Sequence, residues 1–216
     1  MIFKSEKQLI IKTLLFIYAH RCGAFAERTE KHINIVKAEI ISQPYSGEYK
    51  ERIYDLESPW NSQFWTWIKF ADDYGNKTVG QFRGSPVAVK VSGKLNEIIV
   101  LTSDYVYRLE SNELNIIEVK DEFIYQDVEI SPNGIFIFHN YYEIEKMGNS
   151  FSEMEKIKSP FKMDDIKFIK WENNKLEFTC EEFINWNRVE IMELDTNKWE
   201  IIKKTTPQQS TVVKNK

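Results

Sequence analysis

From residue 32 onward, apolar and polar positions alternate with a period of two in short runs broken by turn residues, the pattern of antiparallel β structure. Residues 87–92 (VAVKVS), 97–103 (EIIVLTS), 105–110 (YVYRLE) and 115–120 (NIIEVK) read as four strands. The same order recurs at 125–131 (YQDVEIS), 135–139 (IFIFH), 141–146 (YYEIEK) and 152–158 (SEMEKIK). A third set follows at 166–171 (IKFIKW), 176–180 (LEFTC), 188–194 (RVEIMEL) and 199–203 (WEIIK). Upstream, 32–42 (HINIVKAEIIS), 49–56 (YKERIYDL), 64–71 (FWTWIKFA) and 77–83 (KTVGQFR) supply one more set, with a turn at Asp73-Tyr74-Gly75-Asn76. Its first half is irregular, because Ser58-Pro59-Trp60-Asn61-Ser62 interrupts the alternation.

Gly93, Gly134 and Asn174 sit at the turn between first and second strands of three successive sets, 41 and 40 residues apart. That spacing is close to the period of a four-stranded propeller blade. A lone blade cannot bury either face, so blades stack side by side, and Gly or Asn is expected to supply the positive φ of each tight hairpin. The expected fold is therefore all-β: a partial or four-bladed β-propeller of four-stranded antiparallel blades, with an irregular first blade at 32–84. The others are expected at about 86–121, 124–158 and 165–203, all within one domain spanning 1–204.

The amino terminus has the marks of one helix, over 5–21. Ser5 and Gln8 form a capping box, Ile10, Ile11, Leu14, Leu15, Ile17 and Tyr18 share a face, and His20, Arg21 and Gly23 provide a stop. Lys4, Lys7 and the Ala24-Phe25-Ala26 segment also fit a secretory signal, but Lys12 and His20-Arg21 place charge where such a signal is apolar. A cytoplasmic protein without a membrane span is expected, with export as the alternative if residues 1–26 are cleaved. The tail 205–216, containing Pro207-Gln208-Gln209-Ser210, reads as flexible.

Thirty aromatic residues (14 Phe, 10 Tyr, 6 Trp) are ample for a packed core. Trp60, Trp65 and Trp67 are assigned to that core, a binding platform being the alternative; in a partial propeller they would also seal an exposed blade edge. The net charge of −4 conceals an asymmetry. Residues 1–50 carry 8 Lys/Arg against 5 Asp/Glu and residues 203–216 carry 4 Lys and no acid, leaving 17 basic against 28 acidic groups, a balance of −11, in between. Such a surface repels a phosphate backbone and attracts a basic protein, so a basic protein partner and no nucleic acid are expected. Asp72, Asp73, Asp104, Glu110, Asp121, Glu122 and Asp127, at strand ends and turns, are the candidate partner-binding residues.

Catalytic chemistry finds little support. There is no G-x-G-x-x-G, Walker loop, H-E-x-x-H or G-x-S-x-G. His20, His32 and His139 read as surface or structural groups, Cys22 lacks an identifiable base, and Cys180 ends an apolar strand and reads as an inert buried thiol. The pairs Asp72-Asp73, Asp164-Asp165 and Glu181-Glu182 invite a calcium or acid–base reading, but neighbours on a strand point opposite ways and none has calcium-loop spacing. No catalytic residue, metal or cofactor is assigned.

Ile130-Ser131-Pro132-Asn133-Gly134-Ile135 resembles the Ser-Pro-Asp/Asn-Gly hairpin of bacterial propeller repeats of the TolB-like and WD40-like kind, although the Gly-His and Trp-Asp pairs of true WD40 repeats are missing. In size, charge and blade pattern the chain also resembles partial-propeller immunity proteins of bacterial contact-dependent and other polymorphic toxin systems. That resemblance implies a non-enzymatic inhibitor that masks a basic toxin, such as a nuclease, with an acidic face, and it transfers no individual residue. The alternative is an exported propeller that binds carbohydrate or a cell-envelope partner.

Overall fold

The computed structural model describes residues 34–57, 62–121 and 124–204, excluding the side chains of Trp186 and Asn187. The expected helix at 5–21, Trp60, Glu122 and the tail at 205–216 lie outside the described residues. Among the described residues no helix is long and apolar enough to cross a membrane.

Among the described residues, sixteen strands form four four-stranded sheets. The first holds β1 (Ile35–Ile41), β2 (Lys50–Tyr54), β3 (Trp65–Asp72) and β4 (Lys77–Arg83). The second holds β5 (Pro86–Ser92), β6 (Glu97–Thr102), β7 (Val106–Glu110) and β8 (Ile116–Lys120). The third comprises β9 (Asp127–Ile130), β10 (Phe136–His139), β11 (Ile144–Met147) and β12 (Met154–Lys156). The fourth comprises β13 (Met163–Glu172), β14 (Lys175–Glu182), β15 (Asn185–Asp195) and β16 (Glu200–Lys203). The last three sheets are antiparallel meanders, so the architecture is all-β and propeller-like.

The first sheet departs from the expected all-antiparallel blade. Its order is β1-β3-β4-β2, and β2 runs parallel to β4. No tight turn follows Ile41. The chain instead returns through 42–49 from beside Trp67 to beside Thr78, turning at Tyr45–Glu48 with Gly47 at φ 79°. A parallel neighbour requires such a crossover from one end of a strand to the other.

Three apolar clusters join the sheets in sequence order. Ile68, Phe70 and Phe82 meet Ile98, Val100 and Tyr107 between the first and second. Ile99, Leu101 and Val106 meet Val128, Phe136 and Phe138 between the second and third. Ile137 and Ile144 meet Ile166, Phe178 and Met192 between the third and fourth. Among the described residues no apolar cluster joins the fourth sheet to the first. Strand burial follows this order. Five consecutive residues of β6 and all four of β10 are buried, because both faces of the middle sheets are covered. In β3 and most of β14 buried and half-buried positions alternate, as expected for sheets packed on one side.

The outward faces of the terminal sheets carry charge. On the fourth sheet Lys204 pairs with Glu177 at 2.5 Å and Lys175 with Glu193 at 2.9 Å. On the first, Lys37 and Lys69 pair with Glu39, and Arg83 pairs with Asp55 at 2.5 Å while lying 3.9 Å from the centre of the Trp65 ring. Trp65 and Trp67 thus lie on this half-exposed face, while Thr66, Ile68 and Phe70 point to the core. Their assignment to the core fails, because the period of two puts them on the face opposite Ile68 and Phe70.

Hydrogen bonds lock neighbouring blades. Ser92 Oγ donates to the Gly134 carbonyl at 2.7 Å, joining two hairpins at what we call the upper end of the stack. Between the second and third sheets, Arg108 makes a bidentate pair with Glu97 (2.6 and 2.8 Å) and donates to the Asn149 carbonyl at 2.5 Å. Gly134 has φ 89° and Asn174 φ 63°, but at the equivalent hairpin Asn96, at φ 55°, takes the positive value in place of Gly93.

Two substitutions separate these cases. At Gly134 a Cβ would fall 2.7 Å from Lys94 Cβ in a left-handed backbone, so Gly134→Val should destabilise the protein by about 1 kcal/mol or more. At Gly93 a Cβ meets nothing within 4 Å, so Gly93→Ala should leave the urea midpoint nearly unchanged.

Candidate functional site

The six candidate acids among the described residues do not share one face. Asp72, Asp73 and Glu110 lie at the upper end, where β3 turns into β4 and β7 ends; Asp104, Asp121 and Asp127 lie at the lower end, beside the turn after β6, the end of β8 and the start of β9. Two are structural. Asp72 is buried and accepts hydrogen bonds from the Tyr74 and Asn76 amides (2.9 and 2.8 Å) and from the Asn76 side chain (2.8 Å), which fixes the hairpin. Burial pushes its carboxyl up, but these bonds together hold it below the ordinary carboxylate range. Asp104 is 2% exposed and accepts from Ser103 Oγ at 2.7 Å. Asp73 and Asp121 are exposed, and Glu110 and Asp127 are half-buried.

The lower end holds a denser acidic group, centred on residues left out of the candidate set. Where β13 begins, a bulge between Asp164 and Lys167 breaks the strand alternation, and Asp165 takes φ 45°. The bulge sends Asp165 into a notch of about 270 Å3 shared with Asp127, His139, Tyr141 and Phe168. Asp164 lies directly opposite Glu181, a like-charge cross-strand pair, with Lys167 close enough to act on Glu181. On a regular strand the side chains of Asp164 and Asp165 would diverge, and the bulge removes that premise. No local signal in the sequence announces it.

His139 forms the floor of the notch, 3% exposed, with Phe168 edge-on at 4.4 Å between ring centroids. Its Nδ1 lies 3.0 Å from the Asn140 carbonyl, which only accepts, so Nδ1 carries the proton and the neutral ring leaves a lone pair on Nε2. Burial pushes the His139 pKa down, while the Asn140 carbonyl, Asp127 and Asp165 act the other way. Burial likewise pushes Asp127 up, against the Val128 amide and Lys90. With two carboxylates, an imidazole lone pair and two aromatic rings, the notch has acceptors for a lysine or arginine side chain. Lys167, 2.6 Å from Asp165, already occupies part of that role from the exposed side.

Among the described residues no group of three or more His, Cys, Asp or Glu is arranged to hold a metal ion. Cys180 is buried and free, its thiol pushed up to about 12 by burial with help from Glu190, which makes it a poor nucleophile.

A second concavity of about 860 Å3 lies beside the outer edge of the third sheet, lined by Tyr142, Lys156, Lys158, Phe161, Lys162 and Phe183 among others. Both concavities are aromatic, but this one carries three lysines where the notch carries acids.

No family model and no curated protein sequence matches the chain. Among solved structures, it is similar to the crystal structure of the N-terminal domain of Nup159, at 11% identity and a TM-score of 0.39. The match covers 57% of this chain and 34% of that one, so the chain spans about a third of that domain.

His139 makes stability pH-dependent. The unfolded chain protonates it near the ordinary value of 6.5, the folded protein only at lower pH. Its contribution is therefore fully present above the unfolded value and is lost as pH falls through the folded one, with a slope of at most about 1.4 kcal/mol per pH unit. Urea midpoints should drop between pH 7 and the folded value in the native protein, and His139→Gln should flatten that decline. Asp127, raised, acts with the opposite sign in the carboxylate range below.

Proposed function

We propose that this chain is a non-enzymatic protein-binding module whose acidic lower end captures a basic protein surface, and that it serves as an immunity protein masking a basic toxin domain. The observation that carries this reading is the like-charged Asp164–Glu181 pair beside the Asp127–Asp165 notch. Acids placed together against their own repulsion favour a cationic partner, which relieves that repulsion on binding. The −11 balance of residues 51–202 would steer a basic partner from a distance. The same charge disfavours a nucleic-acid partner.

Trp65 and Trp67, half-exposed on the first sheet, favour a second reading as a carbohydrate-binding surface. The Arg83 guanidinium, 3.9 Å from the Trp65 ring centre, competes for the face on which a sugar would stack.

Co-expression with the product of the adjacent upstream gene, read by growth and complex formation, tests the immunity reading; failure to bind or protect removes it for that pair. The acidic end is tested separately by Glu181→Lys combined with Asp121→Lys. This variant should slow association by about tenfold or more at low salt and flatten its salt dependence. Glu181→Lys alone should raise stability by a few tenths of a kcal/mol, about the size of a cross-strand charge term, because Asp164 gains an opposite charge. Asp73→Lys, at the upper end, should leave the rate unchanged. Undiminished association by the double variant would remove the acidic-end assignment.

A further inference from the structure

β12 is the outer edge strand of the third sheet and pairs only with β11. The Ile157 amide donates to the Ile144 carbonyl at 2.9 Å, and the Gly148 amide to the Glu153 carbonyl at 2.9 Å. In an antiparallel ladder hydrogen-bonding residues alternate, so residues 153, 155 and 157 bond inward. Met154, Lys156 and Lys158 therefore turn their N–H and C=O groups away from the sheet, as a template for another strand.

The groove at this edge has the chemistry of a recognition site. Lys156 is held by Glu143 at 2.5 Å, whereas Lys158 and Lys162 are exposed and form no ion pair among the described residues. Tyr142 and Phe183 form an edge-to-face pair, ring centroids 6.1 Å apart, although each is about half exposed (54% and 42%). Ser159 Oγ is buried without a hydrogen-bond partner, a condition proteins seldom leave in place. Three lysines around one groove stand out in a body whose balance is −11.

We infer that β12 and this groove take up an extended acidic peptide segment of a partner protein by strand addition. The peptide backbone pairs with residues 154–158, its carboxylates meet Lys158 and Lys162, and its alternate apolar side chains rest on Tyr142 and Phe183. Main-chain bonds supply affinity and the side-chain positions supply selectivity. This surface is separate from the acidic notch, and its occupant has the opposite charge.

The test uses fluorescence anisotropy with a labelled, capped peptide alternating Glu with Val and Tyr, beside the same peptide with Lys for Glu and one N-methylated on alternate amides. The acidic peptide should bind saturably at or below about 1 mM, and the basic and N-methylated ones at least about tenfold more weakly. Lys158→Glu with Lys162→Glu should weaken the acidic peptide at least about tenfold, and Asp121→Lys should leave it unchanged. Both lysines are exposed, so the fold is expected to persist, which circular dichroism checks. Absence of binding at about 1 mM, equal binding of the basic or N-methylated peptide, or binding that survives the double charge reversal would overturn the inference. So would tighter binding of a thymidine oligonucleotide of matched charge, which would assign the groove to phosphate.

Discussion

A four-stranded sheet has two faces, and whether one or both must leave water determines nearly everything else in this molecule. The middle sheets are covered on both sides, so β6 and β10 are continuous apolar runs, Ile98 to Leu101 and Phe136 to Phe138, all fully buried. The terminal sheets are covered on one side, so β3 and β14 alternate. A closed ring would require the first and fourth sheets to bury a second face against each other. Instead those faces carry Lys204–Glu177, Lys175–Glu193 and Arg83–Asp55, groups whose desolvation would oppose closure. Stacked-repeat proteins stay soluble by the same device, a polar outer face on each terminal unit.

Burial also decides where charge is structural and where it is available. Arg108 is nearly buried, but Glu97 grips it from two nitrogens and the Asn149 carbonyl accepts a third bond, so it acts as a bolt between the second and third sheets. Glu129 accepts from Lys90 on β5 at 2.6 Å and from Trp171 on β13 at 3.2 Å, linking three successive blades through one carboxylate. These charges are satisfied within the fold. Asp164 and Glu181 differ: they lie opposite each other in the ladder and neither forms an ion pair among the described residues, although Lys167 acts on Glu181 from nearby.

The periodicity and the 40-residue spacing made the four blades legible, since both depend on local rules: alternation for the strands and turn chemistry for the hairpins. One feature that escaped depends on non-local geometry, and the others on which residue of a local pattern takes which place. The parallel placement of β2 could not be read from KERIY, which alternates in the same way whichever neighbour it meets. Gly93 looked like the turn residue, but one hairpin can place its left-handed residue at more than one position, and Asn96 took it. Treating Asp72 as a solvated acid overlooked the turn it builds with Tyr74 and Asn76. Trp65 and Trp67 were placed in the core by bulk alone, although the Ile68 and Phe70 register already assigned them to the other face.

Both concave regions flank the third and fourth sheets, and the way those sheets meet explains it. β13 approaches the third sheet through side chains, with Trp171 on Glu129 of β9 toward one end and Phe168 on His139 of β10 toward the other. The bulge at Asp164–Lys167 lies where β13 lines the notch, and the connection from β12 to β13 lines the groove. Several departures from local rules gather here: a left-handed Asp165, a like-charged pair, a buried histidine, an unpartnered Ser159 hydroxyl and two half-exposed aromatic rings; a left-handed Leu114 and an unpartnered Tyr107 hydroxyl are counterparts elsewhere in the stack. Where such departures serve something other than folding, a junction that combines them with two concave surfaces is the place to look for it, which is why both proposed binding surfaces are set there.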